Sequence, residues 1–443
     1  MAPLVAGAAV ALGLALQVSY GTQDPLALGI VVVGVVAALA AAWVGRREEP
    51  APLGWSVRAV LGLGLGASIL RGFLFLPGVL IDPARMGPFR PESALMAVLL
   101  ASWAWRGAPA WLVRARFPAI VVLFSVVAVL VIRATPAPGI DVWHYQQVGA
   151  AALADGRNPY QQRYPNRYGP GTPFIHPSLL TPDGEQVLTN PYPPLVLLAD
   201  LPGALLGDVR WSLLALMLLA AFLVRALGRG SADAELAALF LLLQPQALLV
   251  VEVAWSDPLS LACLLLVLLA VQRAPGTTAA DRLAWLLPGL AAGVTVASKQ
   301  YTPILLLPVL LALAPALRAR AVLTAAGVTA AVMLPFLAWD PPAFVLGVIQ
   351  FQLRQPFRHD ALSIPAFITS LDGPVLPAWP AFLLCAGVLV MTLRRRVTLQ
   401  QALLSGAAAW LVFVVFNKQA FLNYYWMAVG VLCAALAVLA RRA

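Results

Sequence analysis

Apolar runs of membrane-spanning length alternate with short Arg-bearing turns along almost the whole chain, and one long polar stretch interrupts them. A helix needs roughly 17–25 mostly apolar residues to cross a bilayer. On that measure the chain predicts spans at about 4–20, 26–45, 59–81, 92–105 and 117–133 before the interruption. After it come spans at about 209–228, 234–252, 257–272, 283–298, 302–317, 321–338, 376–393, 399–416 and 421–440. The expected fold class is therefore an all-α polytopic membrane protein, a bundle of about fourteen transmembrane helices with both termini cytoplasmic.

Arginine positions fix the orientation, because cytoplasmic turns carry the excess of basic residues. Arg46-Arg47, Arg58, Arg106, Arg114, Arg116, Arg225, Arg229, Arg273, Arg282, Arg318, Arg320, Arg394 to Arg396 and Arg441-Arg442 all fall on one side with this set of spans. The stretch 195–207 is apolar but short, and it contains Asp200 and Pro202, so it reads as a juxtamembrane helix on the outer face. Residues 4–20 lack a basic leader and are followed by further spans, which marks them as a retained helix and not a cleaved signal. Arg71 lies within a span, where it must face a neighbouring helix or snorkel. The chain divides into N-terminal helices over 1–116, without an assigned role, and a core over 117–443. The core's outer loops lie at about 134–208, 252–257 and 339–375.

Composition agrees with this. The chain has 443 residues, 61% of them hydrophobic and 11% charged, more apolar surface than a soluble fold could hide. The net charge of +10 is accounted for by the cytoplasmic arginines, so nucleic acid is not an expected partner. Cys263, Cys385 and Cys433 lie within spans and read as small buried hydrophobes. An Ala-rich, Lys-poor chain implies a GC-rich bacterial genome, and with the arginine topology the expected place is a bacterial cytoplasmic membrane, the site facing outward.

The polar interruption runs from Asp141 to Pro194 and is rich in aromatics. A connection this long is functional or disordered, and its aromatic content argues against disorder. Asp141 follows a span directly and stands beside Trp143, His144 and Tyr145; Tyr192 closes the loop. Asp141 can be read as a helix cap, a general base, or both. Asp257 precedes Pro258 at a span start, again good capping chemistry, while Glu252 at a span end needs a partner or a function. The third outer loop contributes Arg354, Arg358 and His359. His144, His176 and His359 show no metal-ligand spacing and read as loop histidines.

The chain's two lysines are more telling. Lys299 sits in Ser298-Lys299-Gln300-Tyr301, and Lys418 precedes Asn423 and Tyr424. Both fall at outer span ends, against the positive-inside trend. Each alone could snorkel to headgroups; two such motifs in a chain that otherwise avoids lysine favour an anion site. Carboxylates facing cations and aromatics suit transfer of a sugar from a lipid phosphate to a hydroxyl. The carboxylate would take the hydroxyl proton and the cations would steady the leaving phosphate.

The same residues carry a resemblance. Asp141 just after a span, Gly156-Arg-Asn-Pro-Tyr160, and Tyr192-Pro-Pro194-Leu195 resemble the membrane glycosyltransferases of the C-type fold. The chain is most similar to glycosyltransferase family 87, the polyprenol-phosphate-mannose-dependent mannosyltransferases. Trp255-Ser-Asp257-Pro-Leu259 and the span ending at Ser298-Lys299-Gln300 fall where that fold places an acidic second loop and a lysine. The resemblance covers about 117–440 in order and topology; the four helices ahead of it are a departure. It implies Asp141 as catalytic base and Lys299, Arg354, Arg358 and Lys418 as candidates for the donor phosphate. It also implies inversion at the anomeric carbon, a polyprenyl-phosphate-sugar donor, a glycolipid or glycan acceptor, and membrane lipids around the bundle. No cofactor is required, though relatives of the fold that use a divalent metal leave Asp141 with Asp257 as a metal pair. The rival readings are a transporter or flippase of a lipid-linked or anionic substrate, and a polymerase or ligase of lipid-linked glycans.

Overall fold

The computed structural model describes the chain except for residues 46–52, 88, 106, 275–282, 394–396 and 441–443. Arg46-Arg47, Arg106, Arg282, Arg394 to Arg396 and Arg441-Arg442, used above to orient the spans, lie outside the described residues.

The chain is helical nearly throughout. It begins with α1 (Ala2–Ser19), α2 (Pro25–Val44), α3 (Trp55–Leu74), α4 (Phe89–Ala101) and α5 (Ala110–Ala134). The polar loop then contains α6 (Asp141–Ala154), the two-residue strands β1 (Tyr164–Pro165) and β2 (Gln186–Val187), and α7 (Pro194–Leu205). There follow α8 (Arg210–Leu227), α9 (Ala232–Leu242), α10 (Pro245–Glu252), α11 (Asp257–Arg273), α12 (Leu286–Ser298), α13 (Pro303–Leu311) and α14 (Pro315–Trp339). The connection between α14 and α18 holds α15 (Pro341–Phe344), a π-helical turn at Val345–Gln350, α16 (Phe351–Leu353) and α17 (Ile364–Ser370). The chain closes with α18 (Trp379–Thr392), α19 (Leu399–Val415) and α20 (Leu422–Leu439). β1 and β2 pair antiparallel, Tyr164 opposite Val187.

Seven described helices, α1, α2, α3, α5, α8, α14 and α20, are long and apolar enough to cross a membrane. This is an α-helical membrane protein. The expected span at 234–252 is broken: α9 and α10 meet at a 53° bend. Gln244, which precedes Pro245, has the extended backbone that a pre-proline residue favours. The expected turn at Arg318 and Arg320 lies inside α14, which Pro315 opens at its first position. Arg318 reaches back to the carbonyls of Leu313 and Leu311, at 2.9 and 2.6 Å, and so caps the end of α13. The arginine that read as a turn marker is a capping residue.

The core joins both halves of the chain. α1 packs on α2 and on α20, and α2 packs on α19. Leu12 and Val31 share one buried cluster with Trp410 and Trp426. At the inner end of the polar loop, Arg210 is fully buried. It bonds Asp208, the hydroxyl and carbonyl of Thr135, and the carbonyl of Glu252. That one guanidinium ties together the ends of α5, α8 and α10.

Candidate functional site

Four helix ends converge on one cavity of about 220 Å³: the starts of α6, α11 and α20 and the end of α12. They bring Asp141, Asp257, Asn423 and Lys299 to its wall, with Tyr145, Tyr192, Gln300, Tyr301, Arg358 and Tyr424. Residues more than 280 positions apart in sequence thus share one small volume, Asp141 with Asn423 and Tyr424.

Asp141 is the first residue of α6, not its cap; Ile140 holds the cap position without a side-chain bond. The carboxylate therefore sits at the positive end of the helix dipole. Its Oδ1 accepts from the amide of Val142 at 2.8 Å and from the hydroxyl of Tyr168 at 2.9 Å. Burial pushes its pKa up, opposed by the Tyr168 and Val142 hydrogen bonds and the charge of Arg358. The Tyr145 hydroxyl, buried beside it, has no hydrogen-bond partner among the described residues, so this wall holds a donor that a ligand could satisfy.

On the facing side, Asp257 is the first residue of α11 and is almost fully buried. One oxygen takes Lys299 Nζ and the other takes Asn423 Nδ2, each at 2.7 Å. Lys299 also lies over the Tyr424 ring, 4.8 Å from its centroid. Lys299 is thus an internal ion pair and does not reach toward headgroups. Both Asp257 oxygens are engaged by protein donors, and the described residues hold no group of three His, Cys, Asp or Glu that could hold a metal ion.

The third loop closes the cavity. Arg358 grips Asp360 with two bonds of 2.8 and 2.7 Å and stacks between Phe174 and Phe421. Its backbone amide bonds the carbonyl of Lys418. Lys418 lines a small adjoining cleft with Gln352, Gln355 and Gln419. Its ammonium donates to the Gln355 carbonyl, it has no carboxylate partner among the described residues, and burial lowers its pKa.

Other expected site residues lie elsewhere. Glu252 is buried at the end of α10, where it accepts from the amides of Val79 and Leu80 at 2.9 and 2.7 Å. The carboxylate that needed a partner has found one in the α3–α4 connection, away from the cavity. Trp143 turns to the back of α6 and bonds Asp208. His144 stacks against Trp143, and burial lowers its pKa, with Arg167 adding to the effect. Arg354 bonds Ser178 and His359 meets Thr369, both at exposed positions outside the cavity lining. The residues that single-sequence reasoning missed are Tyr168 and the amides Gln352, Gln355 and Gln419. A signal existed: Gln352 and Gln355 recur at short spacing in a loop that reads as outward, and Tyr168 stands in the aromatic run.

No protein-family model, no curated protein and no solved structure matches this chain.

Proposed function

We propose that the protein is an inverting glycosyltransferase that moves a sugar, mannose in the first instance, from a polyprenyl phosphate to a hydroxyl of a glycolipid or glycan. The observation that carries this reading is Asp141. It is a carboxylate of raised pKa at the wall of a cavity whose lining also holds Arg358, Lys299 and several side-chain amides. Asp141 Oδ1 already accepts from one hydroxyl, that of Tyr168, as it would from an acceptor's. In the reaction the acceptor O–H proton passes to Asp141 and the acceptor oxygen bonds the anomeric carbon. The bond from that carbon to the phosphate oxygen breaks, and polyprenyl phosphate leaves with the electron pair. Arg358 and Lys418 meet the leaving phosphate. Lys418 is the better placed in charge, since its ammonium has only a carbonyl for company, whereas Lys299 is neutralised by Asp257. Lys299, Asp257 and Asn423 instead hold the cavity floor, with Gln300 and Tyr424 toward the sugar.

Two features support the membrane arrangement that this requires. The convergence of four helix ends at one cavity agrees with a helical bundle that opens this cavity to one compartment. The motifs around Asp141, Tyr192 and Asp257 that resemble the C-type-fold transferases of family 87 all reach this cavity. The transporter reading has one observation behind it, the bend between α9 and α10. That bend lies at Gln244, which lines a separate apolar cleft.

The test is sugar transfer by purified protein in detergent from labelled polyprenyl-phosphate-mannose to a membrane-lipid extract, with wild type against Asp141→Asn. Transfer by wild type and a loss of about a hundredfold or more in the mutant is the expected result. Transfer that survives in the mutant removes Asp141 as base. No transfer by either, across several polyprenyl-phosphate sugars, favours the transporter.

A further inference from the structure

A second cavity, of about 670 Å³, opens at the end of the molecule opposite Asp141. α5 connects the two: Arg116, near its start, lines this cavity, and its far end leads into the loop that delivers Asp141. The walls come from α3, α4, α5 and the first turn of α9. Leu65, Leu100 and Leu236 make the lining apolar, and Arg58, Arg116 and Asp233 are its charges. Gly62 and Gly66 of α3 border it, and a Cβ built on either would meet no atom within 4 Å. Ile69 lines both this cavity and a narrower apolar cleft further along α3, beside Phe124 and Leu248. The whole is a charged mouth with an apolar track behind it.

Asp233 is the one carboxylate among the described lining residues, and Arg58 already holds it. Arg58 pairs with Asp233 at 2.6 Å and Arg225 pairs with Glu235 at 3.0 Å. Arg116 is 7% exposed. Its guanidinium stacks on Trp103, 3.9 Å from the ring centroid, and one Nη donates to the Ser102 carbonyl at 3.3 Å. Its buried Nε finds no acceptor among the described residues. A buried charged N–H without an acceptor is costly, and a bound anion would remove that cost. Among the described lining residues two arginines, Arg58 and Arg116, stand against the single carboxylate of Asp233. Exposed Trp55, Trp105 and Trp111 stand at the same end, as tryptophans do at the level of lipid headgroups.

We propose that this cavity binds an anionic phospholipid of the bilayer, with its phosphate on Arg116 and Arg58 and one acyl chain along α3 past Ile69. The phosphate accepts from Nε of Arg116, and the guanidinium plane stays on Trp103. Phosphate suits this group because a guanidinium presents several donors in one plane. The inner leaflet of a bacterial membrane offers anionic headgroups at this depth. The occupant is a bilayer lipid and not a sugar carrier, because the carrier's phosphate belongs at the opposite end of α5. That choice of occupant rests on the reaction proposed for the first cavity, whereas the anion site itself rests on Arg116 and its unsatisfied Nε.

The experiment uses the full chain in detergent, titrated with phosphatidylglycerol or with phosphatidylcholine of the same chains, with thermal unfolding as the readout. Phosphatidylglycerol should raise the unfolding midpoint saturably, and phosphatidylcholine should not. Arg116→Gln should weaken the apparent affinity for phosphatidylglycerol about tenfold, the equivalent of one charge-assisted hydrogen bond. Gly62→Leu combined with Gly66→Leu fills the cavity without touching an arginine and should abolish the saturable response. This variant decides the matter if Arg116→Gln does not fold. Equal responses in wild type and the glycine variant, or equal responses to the two lipids, overturn the proposal. Tighter binding of undecaprenyl phosphate than of phosphatidylglycerol, lost in the same variant, assigns the cavity to the carrier and also overturns it.

Discussion

Asp141 combines two conditions that oppose each other in a carboxylate. Burial raises its pKa above the ordinary 3.8, and hydrogen bonds from Tyr168 and Val142 pull it back. Because the folded protein holds this proton more tightly than the unfolded chain, the group favours folding at low pH. That contribution fades as pH rises from the ordinary value through the raised one, and at neutral pH the ionised group is a net cost. Asn carries no charge to desolvate. Asp141→Asn should therefore lose transfer yet unfold at a higher temperature than wild type at pH 7, with the difference shrinking toward pH 3. A mutant less stable than wild type at pH 7 would contradict the burial argument. Tyr168→Phe deletes one donor to the carboxylate, so the Asp141 pKa should rise further and the acidic limb of the rate profile should move up by about one pH unit. An unmoved limb would show that Tyr168 does not hold Asp141 in the working state. At this scale the sequence was informative where chemistry and position coincide: Asp141, Asp257, Lys299 and Asn423 all meet at the cavity. It was misleading for Glu252 and Trp143, whose partners at Val79, Leu80 and Asp208 are distant or differently oriented in the chain. A single sequence carries no trace of such pairings.

Among the elements, hydropathy located α1, α2, α3, α5, α8 and α20 because each is one uninterrupted apolar run. It failed where proline and arginine act on the backbone locally. The α9–α10 run bends at Gln244, whose backbone is extended, and Arg318 caps α13 from within the next helix. Arg210 shows the same limit with a larger consequence. In sequence it is another arginine at a helix start; in the fold it holds α5, α8 and α10 together at full burial. The end of α5 that it grips at Thr135 leads directly to Asp141. Arg210→Met would strip Asp208 of its guanidinium partner and the carbonyls of Ile132, Thr135 and Glu252 of a donor. The expected loss is about 3–5 kcal/mol of stability in denaturant unfolding, as for other buried pairs broken on one side. Arg210→Lys should recover only part of it, since an ammonium cannot reproduce the planar array of donors. A loss under about 1 kcal/mol for Arg210→Met would mean that the three helix ends are held by packing alone.

For the molecule as a whole, the first four helices carry no assigned role in the sequence, and the first two of them pack close to the candidate site. α1 and α2 pack on α19 and α20, and the turn between them touches the loop that carries Arg358 and Asp360. The Gln23 amide donates to the Asp360 carbonyl at 2.9 Å, and Thr22 forms an isolated bridge with Ala361. Asp360 is the carboxylate that holds Arg358 at the cavity. A chain of contacts thus runs from the N-terminal helices through one backbone hydrogen bond to a cation proposed to meet the donor phosphate. Proline at position 23 removes that N–H and nothing else polar on the backbone. Alanine keeps it, and the Gln23 side-chain amide has no partner among the described residues to lose. Gln23→Pro should therefore raise the KM for the lipid-phosphate donor several-fold with a smaller change in kcat, while Gln23→Ala behaves as wild type. If Arg358 serves the phosphate, Arg358→Gln should raise KM in the same sense, and adding Gln23→Pro to it should change little further, because both act through one contact. Additive effects would separate the two and leave the N-terminal helices with a packing role only.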